Sequence, residues 1–287
     1  MVVMNSVLPP LFVSHGSPMI ALEPGDAGRF MRRLGDALDA GWGRPKAVLA
    51  VSAHTTARES VLLGGARHEA IYDFGGFPPA LYQLRYDASG DPALAAAVGA
   101  ALGVPVIDHG GLDHGIWTAL RYIYPEADVP VVPLAFDPQA SPATLMALGE
   151  RMAALSREGV LILATGSITH NLRLLFRPNG AGQRPEEKSP EMPESAAFRG
   201  WMAERSAARD WDALADYRRQ APGAVLMHPT DEHLLPWYVA AGAGGREDAP
   251  LRLHEGVTFG CLGMDAYAFG PQAGALAAQL EKETAPV

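Results

Sequence analysis

Residues 47–54 read AVLAVSAH, an apolar run of strand length that ends in small residues and a histidine. Its length and β-branched content are typical of a strand buried within a sheet, and we predict a strand from Ala47 to Val51. Four other runs predict buried strands in the same way, and they span Leu11 to Val13, Val104 to Ile107, Val129 to Leu134, and Val160 to Ala164. Together these runs predict a sheet at the centre of the fold.

Segments with helical spacing lie between the predicted strands. Phe30, Leu34 and Leu38 recur at i, i+4 and i+8, which places them on one face of a helix. The predicted helices span residues 26–41, Pro92 (capped by Asp91) to about Leu102, residues 142–157, and about Ser195 to Arg219. Strands that alternate with helices favour an α/β fold, in which helices flank a central, mostly parallel or mixed sheet. We expect residues 1–287 to form a single domain.

The charge balance points away from polyanionic partners. The chain has 23 Lys and Arg against 32 Asp and Glu, which gives a formal net charge of −9 at pH 7. Nucleic acid binding needs clustered cations that displace counterions, and anionic membranes repel an acidic surface. The first residues lack the basic region and cleavage site of a signal peptide, and no apolar run is long enough to span a bilayer. We therefore expect a cytoplasmic protein that acts on a small molecule, with no nucleic acid or membrane partner.

The histidines are sorted by where they stand relative to the predicted strands. Four of the nine stand just past an apolar run or in the turn after one, namely His15, His54, His114 and His170. His233 follows in HPTDEHLLP, where Thr230 is placed to cap a helix that begins near Asp231. Ligands of open α/β sheets collect outside the carboxyl ends of the strands, so histidines placed there converge although they are far apart in sequence. The residues therefore predict a metal site at the carboxyl ends of the strands.

Histidine alone does not choose the metal or complete the ligand set. Neutral imidazole binds Zn, Fe, Cu or Ni, whereas two histidines with one carboxylate indicate non-haem Fe(II). Glu232 and His233 are adjacent, and neighbours on a helix point about 100° apart, so only one of them is expected to face the metal. The residues leave both open. A single strand-end histidine is more often a hydrogen-bonded structural residue, and we assign no site role to His68, His109, His228 or His254.

Six motifs in order resemble one known family. They are LFVSHGSPM (11–19), VSAHTT (51–56), IYDFGGFPPALY (71–82), LDHGIWTAL (112–120), ITHNL (168–172) and PTDEHLLPW (229–237). They resemble the 4,5-DOPA extradiol dioxygenase family, which belongs to the class III (LigB-like) aromatic ring-opening dioxygenases. The match runs over nearly the whole chain, so the resemblance implies a LigB-like catalytic domain that cleaves the ring of a catechol with O₂.

The resemblance also implies roles for individual residues. His15, His54 and His233 match the motifs that hold one divalent metal ion, Fe(II) for turnover or Zn(II) as found in purified protein. His170 is implied to stand beside the metal as the acid–base residue or as a fourth ligand. His114 is implied to line the substrate pocket and to position the catechol oxygens. More distant members use a glutamate as third ligand, which keeps Glu232 as the alternative to His233.

These residue types suit ring opening. Three protein ligands on one face of the metal leave room for both catechol oxygens and for O₂. Proton transfer calls for a base with a pKa near 7, which is ordinary for histidine and favours His170 for this role. The loop from Asp73 to Pro79 supplies aromatic rings for an arene and glycines that allow close approach, although a tight turn with two core phenylalanines explains it equally well.

Two other functions compete with this interpretation. A zinc hydrolase would use the same histidines to activate water, but the sequence contains no HExxH motif. Memo-type binding proteins share the dioxygenase fold, but retention of the whole histidine set favours an enzyme. The identity of the catechol, the cleavage position and the oligomeric state are left open by the sequence.

Overall fold

The fold is built around an eight-stranded sheet, and the computed structural model describes residues 7–176 and 185–284. The strands are β1 (Leu11–Ser14), β2 (Ala47–Ser52), β3 (Val61–Leu63), β4 (Arg67–His68), β5 (Ala88–Ser89), β6 (Val106–Ile107), β7 (Val131–Ala135), β8 (Val160–Gly166), β9 (Leu251–His254), β10 (Val257–Thr258), β11 (Leu262–Gly263) and β12 (Ala266–Ala268). The α-helices are α1 (Gly25–Trp42), α2 (Pro92–Leu102), α3 (His114–Ile123), α4 (Pro142–Met152), α5 (Leu172–Leu175), α6 (Pro193–Ala208), α7 (Trp211–Ala215), α8 (Tyr217–Gln220), α9 (Ala224–Met227), α10 (Leu235–Gly244) and α11 (Ala273–Thr284).

The central sheet is mixed, with a parallel centre. Its strand order is β6-β3-β7-β2-β8-β1-β12-β9, and the four strands β7, β2, β8 and β1 run parallel. Strands β12 and β9 extend the sheet beyond β1 in antiparallel pairing, and β3 pairs antiparallel with β7 on the other side. The predicted α/β fold with a mostly parallel or mixed sheet is confirmed.

Each face of the sheet carries its own hydrophobic core. Side chains alternate along a strand, so Leu49 and Val51 of β2 enter one core while Val48 and Ala50 enter the other. Helices α1, α3 and α11 supply side chains to the second core, and α4 and α10 supply them to the first. Burial on both faces explains why these strands read as continuous apolar runs.

The carboxyl ends of three neighbouring strands coincide. Strand β8 lies between β1 and β2, and its residue Gly166 is in register with Ser14 while Thr165 is in register with Ser52. The chain therefore leaves β1, β2 and β8 at one edge of the sheet. Within the described ranges, no helix is long and apolar enough to cross a membrane.

Two predicted helices differ from those observed. The helix predicted over residues 142–157 ends as an α-helix at Met152 and continues as a 3₁₀ helix over Ala153–Glu158. The helix predicted from Ser195 to Arg219 stops at Ala208, because Arg209 adopts a left-handed conformation with φ of 56°. The side chain of Asp210 then accepts a hydrogen bond from the backbone N–H of Ala213 and starts a new helix.

Candidate metal centre

Five histidines converge at the shared edge of β1, β2 and β8. The ring centroid of His15 lies 5.0 Å from that of His54, 5.3 Å from His114 and 5.6 Å from His233. The centroid of His170 lies 3.4 Å from that of His233. The structure thus brings together all five histidines that the sequence singled out.

The sheet itself positions His15 and His54. The backbone N–H of His15 donates to the carbonyl of Gly166 at 3.0 Å, and the N–H of Ala53 donates to the carbonyl of Thr165 at 3.1 Å. Both histidine-bearing segments are therefore hydrogen-bonded to the end of β8. This shared hydrogen bonding brings the turns that carry His15 and His54 together at the end of β8.

His233 lies in a turn and not on a helix, which corrects the prediction of a helix that begins near Asp231. Helix α10 starts only at Leu235, with Pro236 in its first turn, and the hydroxyl of Thr230 contacts Glu232 instead of capping the helix. The carbonyl of His233 accepts a hydrogen bond from the backbone N–H of Ser167 at 2.9 Å. A side chain on Gly166 would prevent this approach, since an added Cβ would lie 2.1 Å from that carbonyl oxygen.

The imidazole nitrogens fit a divalent metal ion. Nε2 of His15 and Nε2 of His54 face each other at 3.2 Å. Two nitrogens that each lie ~2.0–2.1 Å from one ion, at tetrahedral or octahedral angles, are separated by about 2.8–3.4 Å. Burial lowers the pKa of His15 and of His233 well below the usual value, so both rings are neutral, as metal ligation requires.

Glu232 holds His233 in one orientation. Nδ1 of His233 lies 3.0 Å from Oε1 of Glu232, a hydrogen bond that leaves Nε2 as the free nitrogen. That Nε2 is buried and has no hydrogen-bond partner in the described part of the chain. A carboxylate on the far nitrogen of a metal-binding histidine is a common outer-shell arrangement. The geometry therefore favours His233 as a ligand and Glu232 as the residue that orients it.

His170 is stacked face to face on His233. The two ring planes are 9° apart and their centroids are separated by 3.4 Å, so an ion in the plane of the His233 ring would lie roughly one stacking distance outside the plane of His170. Ligand atoms of His170, Glu232 and His233 lie within 4.8 Å of one another, but an imidazole binds a metal in its own plane. The stacking thus favours an acid–base role for His170 over ligation.

The environment of His170 also changes its titration. Burial, assisted by the neighbouring His228, lowers the pKa of His170 to about 3. At neutral pH the ring is therefore uncharged. This pKa is far below the ordinary value near 7 on which the sequence-based assignment of a base relied, so the acid–base assignment rests on the position of the ring.

His114 begins a helix and does not lie in a turn directly after a strand. Its neighbour Asp113 caps α3 by accepting from the N–H of Ile116 at 3.2 Å, and it also accepts from Ser52 Oγ at 2.7 Å and from Thr55 Oγ1. Asp113 therefore ties the N-terminus of α3 to the end of β2. One ligand atom of His114 lies within 4.8 Å of those of His15 and His54, so these three residues also form a group able to hold a metal.

The aromatic loop predicted from the sequence packs against His114. Phe74 meets the His114 ring edge to face, with centroids 5.6 Å apart, and Phe77 in turn meets Phe74 at 5.4 Å. Tyr72 and Tyr82 complete a half-exposed aromatic cluster next to the histidines. Both phenylalanines are partly buried and pack against the second core, and Phe74 also presents its ring to the site.

Sequence reasoning missed two of the acidic residues around the histidines, Asp113 and Asp73. Asp113 directly precedes His114 and stands where a helix N-cap belongs, a signal that was available. Asp73 contacts His114 across 41 positions of sequence, and no local pattern indicates that contact. Of the histidines without an assigned role, His228 is fully buried with Nε2 2.8 Å from the carbonyl of Ile168, which is a structural contact.

Gly115 offers a test of how tightly the site is packed. A Cβ on Gly115 would lie 2.6 Å from Ser52 Oγ, 2.9 Å from His15 Nδ1 and 3.0 Å from Asp113 Oδ1. We expect Gly115→Ala to lower the free energy of unfolding by ~1–3 kcal/mol through overpacking, and to lower metal content, as measured by thermal denaturation and metal analysis. Gly200→Ala in α6 is the matched control, because its Cβ would meet nothing within 4 Å. Equal effects of the two substitutions would contradict the packing argument.

Comparison with known proteins places the chain in a family. Residues 9–270 match the model of the catalytic LigB subunit of aromatic ring-opening dioxygenase. The protein named 4,5-DOPA dioxygenase extradiol from Escherichia coli (strain K12) is 34% identical over 275 residues, covering 92% of this chain and 95% of that protein. Its namesake from Beta vulgaris is 33% identical over 265 residues, covering 90% and 95%.

A solved structure has the same fold. The crystal structure of an uncharacterized protein from Escherichia coli K12 matches with a TM-score of 0.72 at 27% identity, covering 92% of this chain and 100% of that one. The family predicted from the six motifs is therefore confirmed. The chain belongs to the LigB family of aromatic ring-opening dioxygenases, and it is an oxidoreductase of the extradiol dioxygenase class.

Proposed function

We propose that the protein cleaves the ring of a catechol with O₂ at one divalent metal ion held by His15, His54 and His233. The observation that carries this proposal is the 3.2 Å approach of Nε2 of His15 to Nε2 of His54. The ring of His233, whose Nε2 is buried and unpartnered among the described residues, lies at centroid distances of 5.6 Å from His15 and 4.9 Å from His54. When bound, Fe(II) supplies open positions for both catechol oxygens and for O₂, and Zn(II) fits the same donors.

We assign His170 and His114 to the substrate rather than to the metal. The ring of His170 is stacked on that of the proposed ligand His233, so it is placed to exchange a proton with a catechol hydroxyl beside the ion. His114 stands between His54, at a centroid distance of 4.0 Å, and the ring of Phe74, at 5.6 Å. That position suits a residue that fixes the catechol oxygens while the aromatic loop contacts the arene.

Oxygen uptake tests this function directly. The protein is reconstituted anaerobically with Fe(II) and offered a panel of catechols, with DOPA and protocatechuate-like acids included, and absorbance of yellow ring-opened products is followed in parallel. We expect uptake that is coupled to a yellow product and that depends on the ion. The Zn(II)-loaded protein serves as the control and should consume no oxygen. Absence of uptake by the Fe(II)-loaded protein with every catechol would overturn the proposed reaction.

A further inference from the structure

We propose that Asp73 is a positioning residue that fixes the rings of His114 and His54 and thereby joins the aromatic loop to the metal centre. This inference rests on the proposed function only where it concerns turnover, because its effect on the metal site is independent of substrate. Asp73 lies on the segment IYDFGGFPP, between the aromatic rings of Tyr72 and Phe74 in sequence.

One carboxylate reaches two histidines. Oδ1 of Asp73 lies 3.0 Å from Nδ1 of His114, and Oδ2 lies 3.6 Å from Nδ1 of His54. Oδ1 also accepts a hydrogen bond from the backbone N–H of His114 at 2.9 Å. The Nδ1 contact of His114 is out of line for a hydrogen bond, so the attraction between carboxylate and ring is mainly electrostatic. The carboxylate thus favours a proton on Nδ1 of each ring and leaves Nε2 for the site.

The other two carboxylates near the histidines accept hydrogen bonds from other groups. Asp113 accepts from Ser52, from Thr55 and from the N-terminus of α3. Glu232 accepts from Nδ1 of His233 and from the hydroxyl of Thr230. Within the described ranges, Asp73 is the carboxylate that lies within 4 Å of a ring nitrogen of both His54 and His114.

The backbone around Asp73 is anchored to the segment that carries His114. The N–H of Ile71 donates to the carbonyl of Leu112 at 2.7 Å, and Nε1 of Trp117 donates to the carbonyl of Ile71 at 3.1 Å. On the other side, Phe74 packs edge to face on the His114 ring. The loop that presents aromatic rings and the histidine that is proposed to contact the catechol therefore form one packed unit. Asp73 is the charged residue through which this packed unit contacts the histidines of the metal centre.

Removing the charge without changing the shape isolates this role. The variants Asp73→Asn and Asp73→Ala are compared with Asp108→Asn, a control whose side chain is fully exposed and whose ion-pair partner is His109. Affinity for Zn(II) is measured by competition with a chelator, and the ligand field is followed by the visible spectrum of Co(II)-substituted protein. We expect Asp73→Asn to weaken Zn(II) affinity by about 10-fold and Asp73→Ala by up to about 100-fold, with altered Co(II) bands.

Turnover supplies the second measurement. With the best catechol from the panel, we expect kcat of metal-saturated Asp73→Asn to fall by about 10-fold or more while KM changes little, because the substituted residue acts through His114. Asp73→Glu, which keeps the charge, should recover part of the loss. Unchanged metal affinity and Co(II) bands in a folded Asp73→Asn variant would overturn the proposal. If the wild-type protein turns over no catechol, the proposed function fails while the metal measurements still decide the role of Asp73.

Discussion

Replacing His15 by Ala is expected to abolish metal binding. His15 is 2% exposed, its Nε2 faces Nε2 of His54 at 3.2 Å, and its backbone is fixed to the end of β8. Loss of a direct ligand exceeds the roughly 10–100-fold effect of losing an outer-shell residue, so we expect Zn(II) affinity to fall by more than about 100-fold. Metal analysis after dialysis measures the effect, and activity with any catechol should disappear with the ion.

Control variants distinguish the loss of a metal ligand from a folding defect. His15→Gln keeps most of the buried volume, and circular dichroism establishes whether each variant is folded. His109→Ala, at a side chain that is 76% exposed, should retain the ion. His233→Ala should lose the ion as His15→Ala does, whereas His114→Ala should retain it. A His114→Ala variant that loses the ion while His233→Ala keeps it would show that the third ligand is His114.

Replacing His170 by Ala is expected to leave the metal bound and to remove turnover. The ring of His170 is stacked on that of the proposed ligand His233 at 3.4 Å, so its nitrogens lie in a parallel plane that is offset from the plane of the His233 ring. General acid–base catalysis contributes typically about 10²–10⁴-fold, so we expect kcat to fall within that range. Metal content and oxygen uptake are measured on the same preparation.

The ratio of the two readouts decides the role of His170. Wild-type metal content with strongly reduced uptake supports proton transfer by this residue. A His170→Ala variant that loses the ion as readily as His15→Ala would identify His170 as a fourth ligand instead. His170→Gln adds a side chain of similar reach without a basic nitrogen, and it should be as inactive as the alanine variant.

The sheet could be predicted from the sequence because its strands are buried on both faces. The runs AVLAV in β2 and VLILA in β8 contain only apolar residues, which is typical of such strands. The structure extends each of them by one or two residues. The edge strand β6 was predicted over four residues but has two, since an edge position buries less side-chain surface. The interruption of the helix after Ala208 was missed, because Arg209 carries no residue-type signal for a left-handed conformation.

Two histidines of the site could be predicted because the strands that precede them could be predicted. His15 and His54 follow strands directly, so the position of the strand predicts the position of the ring. The contacts of Glu232 and Asp73 could not be predicted from the sequence. Each depends on which ring nitrogen the carboxylate reaches, on the adjacent His233 for Glu232 and on the distant His114 for Asp73. The helix predicted to begin near Asp231 was wrong: α10 begins at Leu235 with Pro236 in its first turn, and the preceding turn is held by the contact of the His233 carbonyl with Ser167.

The meeting of three strand ends has a consequence for the thermodynamics of folding. The proposed ligands enter the sequence at residues 15, 54 and 233, so no short stretch of unfolded chain holds the ion as the native protein does. An ion that binds only the native state adds stability by mass action, about 2.7 kcal/mol when its free concentration is 100 times the dissociation constant. The supply of metal in the surroundings thus acts as a linked variable that sets the fraction of chains that are folded, besides the fraction that are active.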